Sequence, residues 1–442
     1  MTSPQSDLAV LILAAGQGTR MKSTVPKVLH KVAGQTMLDW VQATARALNP
    51  SRLITVVGPE TQDIDCAGQI VVQVDRRGTG HAAQMAQPAL QGFAGWVVVM
   101  YGDTALVQPE TLQAMVDRGT AAEADLVVTG FRPQDPGRYG RLVVTQDRLM
   151  EIVEFKDASA AQRDIALCNG GLMALRAPRC LDLLNRLSDD NAAGELYLTD
   201  LVALVNADGG TCLVTHCDEA EVKGVNTQQE LSQVEAMMQD RLRAAHMAGG
   251  VTMQDPGSVF LSHDTEIGPE TILEAHQIIG PGVRIGRGTT VKGFCHLEGA
   301  EIGDGATIGP YARLRPGTKL AAKVRIGNFV ETKNASLDTG AKVNHLSYIG
   351  DATVGAAANV GAGTITCNYD GFSKHTTEIG AGAFIGSNSA LIAPITIGEG
   401  AIVGAGSTLS KNVEGGELAV ARGRVSSIPG GAAQLRKKLS QS

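Results

Sequence analysis

The sequence has no surplus of basic residues, no paired cysteines, few aromatics and no long apolar run. Its 442 residues carry a formal net charge of −7. That balance excludes a nucleic-acid binder, because phosphate backbones select basic surfaces. Seven cysteines fall at Cys66, Cys168, Cys180, Cys212, Cys217, Cys295 and Cys367, with no CxxC spacing. Cys212, His216 and Cys217 are close together but lack the second ligand pair of a zinc site. An odd, scattered count fits reduced thiols in the cytoplasm. No apolar stretch is long enough to span a bilayer. The opening Thr2-Ser3-Pro4-Gln5-Ser6-Asp7 has no basic n-region, and the apolar run from Leu8 enters a glycine turn rather than a cleavage site. The expectation is a soluble cytoplasmic protein with small-molecule substrates, no nucleic acid and no membrane.

Aromatic residues make up only 4% of the chain, against 53 glycines that crowd the part after Gly249. Such a composition is not that of an ordinary globular core and prompts a search for repeats. Small aliphatics recur every six residues at Ile267, Leu273, Ile279, Ile285, Val291 and Leu297. After a one-residue slip they resume at Ile302, Ile308, Leu314, Leu320 and Ile326. Further runs are Leu337, Val343, Ile349, and Ile379, Ile385, Leu391, Ile397, Val403, Leu409. Many are followed directly by glycine. A period of six fits neither a helix nor a simple strand. It fits a coil with flat faces, one aliphatic per face pointing inward: a parallel β-helix from about 267 to 409. The period alone does not decide handedness. It fails at 366–378, which is expected to leave the coil as a loop, and loops on rigid scaffolds often carry function.

The first half alternates strand-like patches at 8–13, 53–57, 70–74, 96–100, 126–131 and 142–145 with amphipathic stretches. This is the pattern of an α/β domain with a mostly parallel sheet. Between the halves, Thr227-Gln228-Gln229-Glu230 reads as a capping box. Leu231, Val234, Met238, Leu242 and Ala245 follow at helical spacing, and Gly249-Gly250 stop the helix. The expected organisation is a domain at 1–226, a linker helix at 227–248 and the coil at 249–442.

Leu13-Ala14-Ala15-Gly16-Gln17-Gly18-Thr19-Arg20 follows the first strand. Its glycines let backbone N–H groups approach a phosphate chain, although it is neither a dinucleotide fingerprint nor a Walker loop. Arg20 and Lys27 add two cations suited to a triphosphate. Asp103 ends a strongly apolar strand, where a carboxylate can hold Mg²⁺.

Together with Pro26-Lys27-Val28-Leu29-His30, Gly78-Thr79-Gly80-His81-Ala82, Tyr139-Gly140-Arg141, Ile152-Val153-Glu154-Phe155-Lys156-Asp157, Gly194-Glu195-Leu196-Tyr197-Leu198-Thr199-Asp200 and Gly224-Val225-Asn226, these pieces resemble the sugar-1-phosphate nucleotidyltransferases. Joined to a hexapeptide coil, they resemble the bacterial family that combines N-acetylglucosamine-1-phosphate uridyltransferase with glucosamine-1-phosphate acetyltransferase, over nearly the whole chain. The resemblance implies a Rossmann-like, mostly parallel α/β nucleotidyltransferase domain followed by an all-β, left-handed parallel β-helix of hexapeptide repeats. It implies that Leu13, Ala14, Ala15, Gly16 and Lys27 contact the nucleotide, and that Gln73, Gly78 and Thr79 recognise uracil. Tyr101, Gly102, Asp103, Gly140, Glu154, Asn169 and Asn226 would line the sugar-nucleotide site. Asp103 and Asn226 would hold Mg²⁺, and Arg20 and Lys27 would stabilise the transition state. Ala105 departs from the family's usual Pro after Tyr-Gly-Asp-Thr.

In the coil, Arg313-Leu314-Arg315-Pro316-Gly317 and Lys333 supply cations that can grip a phosphate. His345 lies among polar residues, three before Tyr348. Acetyl transfer to an amine needs a proton acceptor, and an imidazole, with a reference pKa of about 6.5, can serve near neutral pH. By resemblance, Arg315, Lys333, Tyr348, Asn359 and Lys374 bind the amino-sugar phosphate and His345 is the general base. Asn368, Tyr369, Ser387, Ala405 and Arg422 bind acetyl-CoA. Ser373 departs from the Asn common before that Lys. The implied assembly is a homotrimer with acyl sites between subunits, using acetyl-CoA and UTP as co-substrates and Mg²⁺ as cofactor. Its product would feed peptidoglycan and lipopolysaccharide precursors. Two alternatives stay open at this level: a nucleotidyltransferase whose coil only oligomerises, and a non-enzymatic scaffold of the same architecture. Acetyl-CoA-dependent thiol release tests the first, and pyrophosphate release from UTP the second.

Overall fold

The computed structural model describes residues 7–441; the polar opening at 2–6 lies outside the described residues. The chain forms two compact units that meet in sequence between Asp240 and Arg241. The first is built on β1 (Leu8–Ala14), β2 (Arg52–Val57), β3 (Gln69–Val72), β4 (Trp96–Tyr101), β5 (Leu126–Phe131), β6 (Arg141–Thr145), β7 (Arg148–Val153), β8 (Cys168–Arg176) and β9 (Cys212–His216). The sheet order is β9-β5-β8-β4-β1-β2-β3, with β6 beside β8 and β7 beside β6. From 9 to 14, β1 is wholly buried, as expected of a strand covered on both faces. Successive side chains of a strand point to opposite sides. So Ala9, Leu11 and Leu13 enter one core layer with Val97 and Val99, while Val10, Ile12 and Ala14 enter the other with Trp96, Val98 and Met100.

Most strands run parallel, as the alternating pattern predicts, with two exceptions: β7, which forms an antiparallel hairpin with β6, and β8 near the centre. β8 runs antiparallel to both β4 and β5, with Met173 opposite Val99 and Val128. Parallel pairing of Leu13 with Tyr101 sets the C-terminal ends of β1 and β4 side by side. The Gly102 N–H donates to the Leu13 carbonyl at 2.9 Å, so the glycine loop and the Tyr101-Gly102-Asp103 turn open on the same edge.

The second unit is a coil of short parallel strands on three faces. Ile272 pairs with Thr290, eighteen residues on, and Arg325 pairs with Lys342, seventeen on. The shorter turns lose their residue between Leu297 and Ile302, between Thr332 and Leu337, or between Ile349 and Val354. Every aliphatic of the six-residue series except the half-buried Ile267 is buried, forming one continuous core. Each inward side chain contributes roughly 1.5–3 kcal/mol. No turn suffices alone, so the stack is stable as a sum.

Two inward places are threonines. Thr332 and Thr366 are fully buried, which is affordable because their hydroxyls are satisfied. Thr332 Oγ1 meets Thr318 Oγ1 at 2.9 Å, and Thr366 Oγ1 accepts from Gly350 N–H at 2.8 Å. This corrects the expected loop at 366–378. Ile365–Cys367 and Thr377–Ile379 are strands of the coil, and only 368–376 departs from it. Polar does not mean outside when the hydroxyl finds backbone partners.

The capping box is also only half as expected. The Glu230 N–H donates to Thr227 Oγ1 at 3.2 Å, but the Glu230 carboxylate accepts from Asn226 N–H at 2.7 Å rather than from Thr227. The start of the helix Gln228–Ala248 thereby holds Asn226. No helix among the described residues is long and apolar enough to cross a membrane.

Coil corners are tightest at Gly327. A Cβ there would fall on the carbonyl oxygen of Asn344, one turn on and next to His345. Gly327→Ala should destabilise the coil by about 1–3 kcal/mol, the usual range for overpacking, read as a lower melting temperature of the protein; an unchanged melt would show that this corner can yield.

Candidate functional site

A cavity of 560 Å³ opens where β1 and β4 end. Its wall carries Leu13, Ala14, Ala15, Gly16, Lys27, Gln73, Gly78, Thr79, Tyr101 and Asp103 of the residues singled out from sequence, together with Gln17, Arg76 and Glu195, which were not. Gln73 is buried. Its amide nitrogen donates to the Gly78 carbonyl at 3.2 Å and lies 3.1 Å from His81 Nδ1. The turn at Gly78 is braced from outside: Gly80 N–H donates to Leu196 O, and Leu198 N–H donates to Thr79 Oγ1. The Gly194–Asp200 motif therefore shapes this wall.

Lys27 Nζ forms an ion pair with Asp103 and a 3.2 Å hydrogen bond to Asn226 Oδ1. Two oxygens from distant parts of the chain thus converge on one cation, and Val225 N–H, donating to the Asp103 carbonyl, helps hold them there. Tyr101 adjoins them in the cavity wall, partly buried. Burial, then the charges of Glu154 and Asp103, push its phenol well above the ordinary range, against a hydrogen bond with Thr79. Gly140, Glu154 and Asn169 adjoin one another: a Cβ on Gly140 would lie 3.5 Å from Asn169 Cβ and 3.6 Å from Glu154 Oε2. Burial raises the Glu154 carboxyl despite its bond from Thr199. Arg141, in the same motif, is buried and donates to the carbonyls of Pro136, Gly137, Tyr139 and Arg163. It folds the loop that presents Gly140. Arg20 does not line the cavity; it is exposed in the 3-10 turn Thr19–Met21.

On the coil, Arg315, Lys333, Tyr348 and the root of the 368–376 loop share one face. Arg315 is paired with Glu331 at 2.8 Å, and Glu331 is in register with Tyr348. Lys333 is held below its usual pKa first by Lys374, then by its own small desolvation and Arg315. Lys374 therefore folds back beside Lys333, and three cations stand without enough negative charge among them. Asp351 faces the same cluster. Burial pushes its carboxyl up, but hydrogen bonds from Asn334 and Asn368 and the charges of Lys374 and Lys333 outweigh this and lower it. Asn334 Nδ2 lies 2.7 Å from Asp351, and Asn368 Nδ2 also donates to it. Asn368 is thus the pin that fastens the loop to the coil. At the tip, Tyr369 donates to the Gly371 carbonyl, and Phe372 is 96% exposed.

His345 lies on a corner, with Nδ1 2.6 Å from Asn328 Oδ1. If Asn328 accepts, Nδ1 carries the proton and Nε2 is the ring nitrogen with a free lone pair. Ser387 and Ala405 follow on the same corner in later turns, where Gly363 N–H donates to His345 O, Asn388 N–H to Ala362 O and Gly406 N–H to Ser387 O. Arg422 ends the line, donating to Ala405 O at 3.1 Å. Four steps at roughly 4.8 Å per strand spacing span about 19 Å, room for an extended ligand. Asn359 is elsewhere. It lies on the face with Lys342 and Phe384, not with Arg315 and Lys333.

Below His345 the corner carries a ladder that the aliphatic count did not reveal. His276, Phe294, Tyr311 and Phe329 stack at centroid distances of 4.6, 4.9 and 5.3 Å. All have positive φ. Their spacing of 18, 17 and 18 residues was the available signal. The same regularity puts Asn328 one turn before His345. Asp351, which sequence reasoning also missed, had no such signal.

A family model described as MobA-like NTP transferase domain matches residues 10–201. One described as bacterial transferase hexapeptide (six repeats) matches 376–411. Among proteins named bifunctional protein GlmU, that of Paramagnetospirillum magneticum is 51% identical over 98% of this chain and 97% of its own. That of Azorhizobium caulinodans is 51% identical over 98% of each. That of Xanthobacter autotrophicus is 52% identical over 94% of each.

Proposed function

The chain belongs to the bifunctional GlmU family, and from that premise we propose that it makes UDP-N-acetylglucosamine by two transfers, one in each half. The coil acetylates glucosamine 1-phosphate from acetyl-CoA. The α/β unit then transfers uridylyl from UTP to N-acetylglucosamine 1-phosphate and releases pyrophosphate. The observation that carries this reading is the presence of two separate polar clusters, one on each unit, in a chain whose relatives cover both units. A coil serving only to oligomerise would not need a cluster of three cations on one face and an exposed histidine held by Asn328 on a corner.

In the α/β cavity, Gln73, Gly78 and Thr79 recognise uracil, and the loop at 13–16 receives the phosphates. Tyr101, Gly102, Gly140, Glu154 and Asn169 line the sugar end. The attacking phosphate oxygen is already anionic, so no base is required; alignment and charge neutralisation carry the step. Lys27, in the cavity wall, supplies positive charge to the triphosphate, and Arg20, exposed on the turn after the glycine loop, is assigned the second charge by the family pattern. A divalent cation fits this donor set: Asp103 and Asn226 offer hard oxygens that already converge on a cation, and Mg²⁺ takes few protein ligands beside substrate phosphates. When bound, Mg²⁺ would neutralise charge on the phosphates.

On the coil, Arg315, Lys333 and Lys374 hold the sugar phosphate, with Tyr348 beside them. His345 takes a proton from the amine as its nitrogen attacks the thioester carbonyl, and the CoA thiolate leaves. The line from Ser387 through Ala405 to Arg422, with Asn368 and Tyr369, accommodates CoA. Asn359 lies on another face of the same chain, so a site using all five amino-sugar contacts draws on two copies. This supports a homotrimer, as do the exposed aromatic ladder and Phe372. We place the enzyme in the cytosol, where both co-substrates are available.

The test is to incubate the protein with glucosamine 1-phosphate, acetyl-CoA, UTP and Mg²⁺, omitting each in turn. The mass of UDP-N-acetylglucosamine should appear only in the complete mixture. Without UTP, N-acetylglucosamine 1-phosphate and free thiol should accumulate. Pyrophosphate without thiol under any condition would leave the coil a passive element.

A further inference from the structure

Arg76 lies in the wall of the α/β cavity but belongs to none of the motifs above. Its Nε–H donates to the Ala15 carbonyl at 2.6 Å, and its outer nitrogen grips both carboxylate oxygens of Glu60. The pair runs over Gly58, where a Cβ would collide with the guanidinium and come within 2.9 Å of both Glu60 oxygens. Two separate segments, the turn at 58–60 and Arg76, are thus shaped around one contact with the glycine loop.

We propose that Arg76, held by Glu60, is a positioning residue that sets the direction of the Ala15–Gly16 peptide for the nucleotide's phosphates. In a planar trans peptide the carbonyl and the following N–H point opposite ways. Holding the Ala15 oxygen against Arg76 therefore turns the Gly16 N–H away from it. Among the described residues, none accepts from the N–H groups of Gly16, Gln17 or Gly18, so they are available to an anion. The loop cannot hold this direction unaided. Gly16 has no side chain, and a Cβ there would meet nothing within 4 Å, so neither packing nor its own sterics opposes a flip. A flipped peptide would present a carbonyl oxygen to the phosphates instead of a donor. Glu60 neutralises the guanidinium, so Arg76 acts through geometry and not by attracting phosphate.

The inference rests on the reading of this cavity as the UTP site, and steady-state kinetics separate the two. If the wild-type protein forms no pyrophosphate from UTP and N-acetylglucosamine 1-phosphate, that reading fails. If it does, Arg76→Ala should raise KM for UTP about tenfold, the size of one lost charge-assisted hydrogen bond. KM for the sugar phosphate, the acetyl-transfer rate and the melting temperature should stay at wild-type values. Glu60→Gln should act in the same direction with a smaller effect, and the double variant should be no worse than Arg76→Ala alone, because both remove one strap. An unchanged KM in Arg76→Ala overturns the proposal. So does a lower KM in Glu60→Gln, which would mean that a released Arg76 binds phosphate directly.

Discussion

Asp103→Asn should cut uridylyl transfer by about 10²–10³-fold, while acetyl transfer by the same preparation stays at the parent level. The substitution keeps size and removes one charge. In the folded protein Lys27 spans Asp103 and Asn226. With Asn at 103 the ammonium loses its anionic partner, and the position keeps an amide oxygen but no charge for a divalent cation. Both losses fall on the phosphates, where the reaction needs charge balanced. The Mg²⁺ concentration for half-maximal rate should therefore rise along with the fall in rate. Coupled pyrophosphate detection across a Mg²⁺ titration checks both. A variant with normal uridylyl transfer at low Mg²⁺ would remove Asp103 from the chemistry.

His345→Ala should lower acetyl transfer by about 10²–10⁴-fold, the range for a lost general base, and leave uridylyl transfer intact. His345 is exposed on its corner, and among the described residues its side chain is held by Asn328, so truncation threatens the coil little. Asn328→Ala should give a smaller loss in the same assay, because it frees the ring to choose the wrong tautomer or orientation without removing it. Thiol release from acetyl-CoA reads the first activity, and pyrophosphate from supplied N-acetylglucosamine 1-phosphate reads the second. Loss of both in a folded His345→Ala protein would end the division of labour between the halves.

The coil was legible because its signal is additive. A buried aliphatic on each face repeats until chance is excluded, and the same residues prove to be the core. What the count could not see were places where a different chemistry satisfies the same geometry. Thr332 and Thr366 fill inward slots through paired hydroxyls, so a polar residue was read as the end of the strand. In the α/β half, β1 and β4 were legible as apolar runs. β8 was not, since Gly170 and Gly171 interrupt it and a bulge lies between Asn169 and Met173. The candidate site divides in the same way. Short motifs such as Leu13–Gly16 and Gly78-Thr79 are legible because contiguous residues match the family's pattern. Arg76, Glu60 and Asp351 do not, because their meaning lies in contacts between segments far apart in sequence.

In a flat strand, a shift of one residue would turn every buried side chain toward water. This coil escapes that penalty at one place. The shortened turns lose one or two residues between the second and third faces, after Leu297, Thr332, Ile349 or Leu409, while the other two corners keep their spacing. The excursion at 368–376 leaves between Thr366 and Ile379, at that same corner. The gene can thus gain or lose codons there without disturbing the layers above and below. The loop that carries Asn368, Tyr369 and Lys374 lies at the corner where turn length already varies, so a repetitive support can carry an irregular segment there while its repeats keep their register.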